Sequence, residues 1–90
     1  MPYFKIPSPF RYYVDGQSEV RVVGATAGAA LLDLFARFPA FLPQICKADG
    51  TLHAHVNIFL DKRNVRDIQG LETPVTLDDV LQIVTSIAGG

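Results

Sequence analysis

The C-terminal pair Gly89-Gly90 is the most chemically distinctive feature of the sequence. Because glycine has no side chain, such an end can enter a channel too narrow for any other residue, and it presents a main-chain carboxylate there. A carboxylate is a poor acyl donor, but its mixed anhydride with AMP is open to attack by a sulfur nucleophile. The alternative is a chain end without a role, since termini are where order is commonly lost.

Two histidines and one cysteine are the other residues whose types suggest metal binding or nucleophilic chemistry. His53 and His55 share one face of a predicted extended segment, but two ligands do not make a metal site, and we expect structural or exposed histidines. Cys46 follows the apolar residues Leu42 and Ile45, which predicts a partly buried small residue rather than a reactive thiol. A lone cysteine also excludes an internal disulfide and a four-cysteine zinc site.

A small basic cluster, consisting of Lys62, Arg63 and Arg66, lies near a predicted turn. Taken alone, these cations indicate a solvated hairpin, and the alternative is a surface that steers an acidic groove of a partner. Eight basic residues face nine acidic ones, and the net charge is −1. This balance does not favour nucleic acid or an anionic membrane as a partner.

Length and composition limit the class of protein. The chain has 90 residues, of which 49% are hydrophobic and 19% charged, so we expect a single packed domain over residues 1–90. No apolar run is long enough to span a bilayer, and the N-terminus lacks the zones of a signal peptide, so a cytoplasmic location is expected. At this size, a binding module or a carrier is a better hypothesis than a free-standing enzyme.

The elements that must position the C-terminus are predicted to be a hairpin, a helix and three further strands. Alternation and β-branched content predict strands at residues 3–6, 18–23, 55–60 and 80–85, with a turn over residues 61–64 and a short return strand that begins at Val65. Pro7 and Pro9 interrupt the first strand, because neither has an N–H for the ladder. Residues 10–14 fit either more strand or a packed loop.

The helix is the most clearly predicted element. Thr26 is its expected N-cap, and Pro39 ends it. One apolar stripe recurs at helical spacing, comprising Ala27, Ala30, Leu31, Leu34, Phe35 and Phe38. Asp33 and Arg37 lie four residues apart and are expected to pair. Residues 40–46 are expected to form a short turn of helix over the core. We predict an α+β fold in which this stripe covers one sheet face, and in which the strand after the helix lies beside the first strand.

A longer pattern resembles a known family. The chain is similar to the ubiquitin-like β-grasp sulfur carriers of the ThiS/MoaD family, and most similar to its CysO-type members. The residues that carry the likeness are Ile6-Pro7, Phe10-Arg11, Gly16-Gln17, Val20, Gly24, Thr26, Leu52-His53, Val56-Asn57-Ile58, Val65-Arg66, Gly70-Leu71, Thr73, Asp79, Ile83 and Ala88-Gly89-Gly90. The resemblance implies a mixed sheet of four to five strands packed on one main helix. It also implies a flexible C-terminal tail of about residues 86–90.

The resemblance also implies a mechanism and a set of partners. A ubiquitin-activating-type enzyme would use ATP to adenylate Gly90, and a sulfur donor would convert the adenylate to a thiocarboxylate. Ile87, Ala88, Gly89 and Gly90 would enter the active site of the partner. A downstream synthase would accept the sulfur in the biosynthesis of cysteine, molybdopterin, thiamin or a related product. The carrier itself would bind no cofactor or metal and would catalyse nothing.

Two further expectations concern the body of the protein. If Ile58 and Leu60 face the helix, Phe59 faces outward on its strand, and Val84 does the same on the last strand. Phe59 and Val84 then form a candidate docking patch for the activating enzyme, and the alternative is an ordinary exposed aromatic or a small satellite cluster. Arg11 and Arg66 match family positions, and one of them is expected to hold a loop by hydrogen bonds to carbonyls.

Three other functions stay open on the sequence. A ubiquitin-like modifier would join Gly90 to lysines of other proteins and needs the same diglycine. The small subunit of a molybdopterin synthase would form a stable complex with a larger catalytic subunit. A passive β-grasp interaction module would function without Gly89-Gly90, whereas a carrier would not.

Overall fold

A computed structural model describes residues 1–85, which contain a mixed sheet of five strands. The strands are β1 (Tyr3–Lys5), β2 (Glu19–Arg21), β3 (Val56–Leu60), β4 (Arg63–Asn64) and β5 (Val80–Thr85). The helices are α1 (Ala27–Arg37) and the single turn α2 (Leu42–Ile45), and the 3-10 segments are Ser8–Val14, Pro39–Phe41, Val65–Asp67 and Gly70–Glu72. No helix in residues 1–85 is both long enough and apolar enough to cross a membrane.

The last strand occupies the centre of the sheet, whose strand order is β2-β1-β5-β3-β4. β5 pairs in parallel with β1 and antiparallel with β3, and β1 and β2 form the antiparallel hairpin that the sequence predicted. The prediction that the strand after the helix lies beside β1 is wrong, because β5 separates the two. β5 is the longest strand and buries Leu81 and Ile83, so the central position removes the most apolar surface from water.

Helix α1 begins and ends as its sequence predicts. Thr26 is the N-cap, and its Oγ1 accepts a hydrogen bond of 3.1 Å from the N–H of Ala29. The predicted pair forms with 3.1 Å between Arg37 Nη2 and Asp33 Oδ2. Both side chains also bind the segment around β2, since Asp33 accepts from the N–H of Val23 and Arg37 donates to the carbonyl of Arg21. The pair therefore fastens the helix to the edge of the sheet.

The apolar stripe of α1 packs on one face of the sheet, called here the inner face. Every stripe residue is buried except Phe38, which is partly buried against the core. The sheet contributes Phe4, Val20, Val56, Ile58, Leu81 and Ile83, each at most 2% exposed. The short helical turn predicted over residues 40–46 is present as Pro39–Phe41 and α2, and it buries Phe41 and Ile45 completely.

Two local predictions needed correction. Residues 10–14 are part of a 3-10 helix, Ser8–Val14, rather than more strand or a packed loop, and Pro9 at its start suits the fixed backbone of a first helical turn. The return strand is Arg63–Asn64 and does not begin at Val65, which starts a 3-10 turn. Asp61 adopts a positive φ of 56°, so the chain reverses before Arg63 and the hairpin is tighter than predicted.

The predicted fold class is confirmed. A hairpin, a helix across one face, a second antiparallel pair and a central last strand parallel to the first make up the β-grasp arrangement. In this topology the last strand, β5, is also the central strand, so the C-terminal segment follows in sequence from the middle of the sheet.

Candidate functional site

The site begins where β5 ends. Thr85 is the last described residue, and it pairs with Val56, the first residue of β3. The predicted tail residues Ile87, Ala88, Gly89 and Gly90 lie outside the described residues. The structure therefore defines the base from which the tail departs, and the residues around Val56 and Thr85 are termed the tail root.

Arg66 binds the tail root with its guanidinium. Nη2 donates to the carbonyl oxygens of His53 at 3.1 Å and Val56 at 2.9 Å, and Nε donates to Asn57 Oδ1 at 3.1 Å. The Asn57 oxygen also accepts from Asn64 Nδ2 at 3.1 Å. These contacts confirm that an arginine of the predicted pair holds a loop by its carbonyls. Within the predicted basic cluster, Arg66 makes these contacts, and Lys62 and Arg63 are exposed on the hairpin.

Arg11 has a similar role at the end of β1. Its Nε donates to the carbonyl of Ile6 at 3.0 Å, across the bend between β1 and the first 3-10 helix. Pro7 has no N–H and interrupts the strand ladder at this bend, and the guanidinium supplies a donor to the preceding carbonyl. Both arginines therefore act on backbone acceptors at chain reversals.

The predicted docking residues share the face of the sheet that points away from α1, called here the outer face. Phe59 pairs with Gln82, and Val84 pairs with Asn57, so Phe59 and Val84 are diagonal neighbours on adjacent strands. Both are half-buried. Their orientation agrees with the predicted alternation, because Ile58 on the inner face is fully buried.

Two more half-buried residues lie on the outer face. Tyr3 pairs with Val80, which is on the same face of β5 as Val84, and both are partly exposed. Alternation along β1 and β5 could have indicated these two residues. Their position opposite each other, however, depends on a parallel pairing between the first and last strands that the sequence does not predict. The outer face thus combines Tyr3, Val80, Val84 and Phe59 with polar residues such as Gln82.

The two histidines lie in a turn before β3. The predicted extended segment is replaced by this turn, in which the N–H of Val56 donates to the carbonyl of His53 at 3.0 Å. The rings of His53 and His55 stack with 5.4 Å between centroids, and His53 Nε2 lies 3.0 Å from the carbonyl oxygen of Pro43. Because that oxygen can only accept, Nε2 carries the proton. Within residues 1–85, no group of three or more metal-ligating side chains occurs.

Cys46 is a free thiol and is more deeply buried than the sequence predicted. It is 7% exposed, forms an isolated β-bridge with Leu52, and borders an apolar cavity of about 570 Å³ beside α1. Burial raises the pKa of the Cys46 thiol from 9.0, so the thiolate is disfavoured. The environment is that of a structural cysteine rather than of a nucleophile.

The fold and the tail root define a β-grasp protein of the ubiquitin-like class, in which a diglycine sequence follows the central strand. The model of the ThiS family matches residues 5–90. The chain therefore belongs to the ThiS family.

Relatives and solved structures agree with this family. The sulfur carrier protein CysO of Mycobacterium tuberculosis is 33% identical over 87 residues, with 94% of each chain covered. A putative sulfur carrier protein of Archaeoglobus fulgidus is 47% identical over 49 residues, which cover 54% of this chain and 56% of that protein.

Two solved structures have the same architecture. The Amycolatopsis orientalis BexX/CysO complex contains a chain with a TM-score of 0.91 and 29% identity, and all of both chains is covered. Small archaeal modifier protein 1 from Methanosarcina acetivorans has a TM-score of 0.86 and 27% identity, covering 99% of this chain and 95% of that one.

Proposed function

We propose that this protein is a sulfur carrier whose working group is the main-chain carboxylate of Gly90. The observation that carries the proposal is the ThiS-family match, which extends through Gly90 and so includes the diglycine that follows β5. Near-full-length similarity to a protein named as a sulfur carrier supports the same function. The base of the tail is a paired strand end, and in the sequence a short segment follows it that ends in two residues without side chains.

The chemistry has two steps, both catalysed by a partner. First, the Gly90 carboxylate attacks the α-phosphorus of ATP, giving the acyl adenylate and pyrophosphate. Second, a hydrosulfide-equivalent donor attacks the acyl carbon, the C–O bond to AMP breaks, and the thiocarboxylate remains. No oxidation or reduction of the carrier is involved. The carrier supplies the acyl group and its presentation, while ATP and the acid–base groups belong to a ubiquitin-activating-type enzyme.

The outer face supports a proposal for how that enzyme is recognised. Phe59 and Val84 lie on β3 and β5, the two strands that meet at the tail root. An enzyme that docks on this patch would be placed beside the point from which the tail departs. The complex of a similar CysO chain with BexX supports the expectation that such carriers work through protein partners. The thiocarboxylate would then pass its sulfur to a downstream synthase.

ATP–pyrophosphate exchange tests the first chemical step. A candidate adenylating enzyme is incubated with labelled pyrophosphate, ATP and either the wild-type carrier or a variant that lacks Gly90. We expect carrier-dependent exchange with the wild type and none with the deletion, while thermal unfolding of the two proteins is the same. Gly90→Ala is the matched control that keeps the carboxylate and adds one methyl group, and we expect it to reduce exchange strongly. Equal exchange with wild type and deletion would contradict the proposal.

A second candidate function is favoured by the similarity to small archaeal modifier protein 1. In that case the adenylated Gly90 would be transferred to lysine amines, and an isopeptide bond would replace the thiocarboxylate. The two functions share the activation step and differ in the nucleophile. Mass spectrometry of cell proteins after tagging this chain at its N-terminus distinguishes them. Gly90–lysine linkages would support the modifier, and a carrier without such linkages would support sulfur transfer.

A further inference from the structure

The guanidinium of Arg66 contacts the β3 residues that pair with the end of β5. It binds the carbonyl of Val56 and the side-chain oxygen of Asn57. Val56 pairs with Thr85 and Asn57 pairs with Val84. Arg66 therefore holds both partners of the last two described residues before the tail.

Strand β4 is too short to cover the whole edge of β3. The pairing between β3 and β4 covers only Leu60 with Arg63 and Phe59 with Asn64. Beyond Asn64 the chain turns into the 3-10 segment Val65–Asp67, and the β3 edge from Val56 to Ile58 extends past the partner strand. A strand edge without a neighbour leaves carbonyls exposed to water and the strand end free to fray. The guanidinium takes the position of the absent strand and satisfies the Val56 carbonyl.

The geometry of the contact suits arginine specifically. Three acceptors lie within 3.1 Å of two nitrogens of one planar group. A rigid fork of donors can satisfy them together, whereas a lysine ammonium on its flexible stem is a point charge. The backbone of Arg66 is itself fixed, because its N–H donates to Asn64 Oδ1 at 3.0 Å. The contact is also on the surface, since the Arg66 side chain is exposed.

We propose that Arg66 is a positioning residue for the tail: by fixing the first residues of β3 it fixes the end of β5, and so the point and direction of departure toward Gly90. The proposal rests on the proposed function for its consequence in activation, while its structural part is independent of that function. Since adenylation requires the Gly90 carboxylate to be held close to ATP, a less defined departure reduces the fraction of bound carriers in a reactive geometry.

Two measurements on three variants test the proposal. Arg66→Met removes the donors, Arg66→Lys keeps the charge without the fork, and Arg63→Met is the matched control, removing one exposed charge from the same hairpin. The first measurement is amide hydrogen exchange at Asn57 and Val84, compared with Leu60 and Leu81 in the same sheet. The second is kcat and KM for carrier-dependent pyrophosphate exchange.

We expect Arg66→Met to speed exchange at Asn57 and Val84 about tenfold, with Leu60 and Leu81 unchanged. Its kcat should fall about tenfold while KM stays within about twofold, because the docking surface is intact and only presentation is altered. Arg66→Lys should resemble Arg66→Met, and Arg63→Met should resemble wild type.

Unchanged exchange at Asn57 and Val84 in Arg66→Met would overturn the structural part of the proposal. Faster exchange with an unchanged kcat would overturn its role in activation. A wild-type carrier that no adenylating enzyme activates would instead refute the proposed function, and the amide exchange would still decide whether Arg66 fixes the tail root. Full activity in Arg66→Lys would show that charge alone suffices and would also contradict the proposal.

Discussion

The two faces of the sheet are built by the same strands but are buried to different extents. On the inner face, Phe4, Ile58 and Leu81 are completely buried beneath α1. On the outer face, Phe59 and Val84 remain partly exposed. Folding accounts for the first set, because burial of apolar side chains is its main driving force. The second set loses less contact with water on folding, and it is the set that the proposed docking of a partner would use.

Among the variants of the two faces, we expect Leu34→Ala to cause the largest loss of stability. Leu34 is fully buried in the α1 stripe, so truncation leaves a cavity that the surrounding core fills only in part. We expect a loss of about 2–5 kcal/mol in the free energy of unfolding. Denaturant titration followed by circular dichroism measures it. A loss as small as that for an outer-face variant would remove the distinction between the two faces.

Gly24→Ala tests the connection that places α1 on the inner face. A Cβ at this position would lie 2.5 Å from the Ala30 nitrogen and 2.8 Å from the Ala29 carbonyl carbon. Because both contacts are with helix backbone, α1 must shift, and we expect a loss of about 1–3 kcal/mol. Gly16→Ala is the control. Gly16 has a positive φ, but a Cβ added there meets nothing within 4 Å, so this variant changes backbone conformation without a close contact. Equal losses in the two variants would attribute the effect to backbone conformation rather than to close packing.

Outer-face substitutions should affect partner recognition more than stability. For Phe59→Ser we expect a loss of about 1 kcal/mol in unfolding free energy, because the ring is only half-buried. The KM for carrier-dependent pyrophosphate exchange should rise about tenfold, as for the loss of an interface anchor. Leu32→Ser, which removes an exposed apolar side chain from α1 rather than from the outer face, is the control and should leave the KM unchanged. An unchanged KM in Phe59→Ser would reject the docking patch.

The buried thiol of Cys46 should make the free energy of unfolding slightly dependent on pH, which is a smaller effect than those above. Burial raises the pKa of Cys46 from 9.0, so the folded protein keeps this proton where the unfolded chain releases it. The stability contributed by the protonated thiol is fully present below 9.0 and is lost as pH rises through the folded-state pKa. Between about pH 8 and about pH 10, wild type should therefore lose more stability than Cys46→Ala. Parallel pH profiles would contradict this account.

Local patterns in the sequence predicted much of the fold. Alternating apolar residues defined β5 to the residue, and the Thr26 cap with Pro39 after the helix defined α1. The strand order was beyond such reasoning, because sequence adjacency favours neighbouring strands, whereas β5 lies in the centre between β1 and β3, with Leu81 and Ile83 buried on the inner face.

Only part of the candidate site could be predicted, because the rest depends on the pairing of strands that are distant in the sequence. Period-two alternation placed Phe59 and Val84 on one face, but their diagonal contact depends on the β3–β5 register. The resemblance indicated that an arginine would hold a loop. The acceptors of Arg66 could not be predicted, since they depend on where β4 stops and on the turn of His53 before β3. These contacts therefore depend on non-local geometry, which sequence patterns do not specify.

Intact-mass spectrometry shows whether the Gly90 carboxylate carries the sulfur. The carrier is incubated with its adenylating enzyme, ATP and a sulfur donor, and its mass is compared with that of the variant lacking Gly90. We expect the carrier to gain mass equal to the difference between one sulfur and one oxygen atom. Fragmentation should locate this gain at Gly90, and the variant should not show it. The same gain in the variant, or a gain located at Cys46, would contradict the claim that the Gly90 carboxylate carries the sulfur.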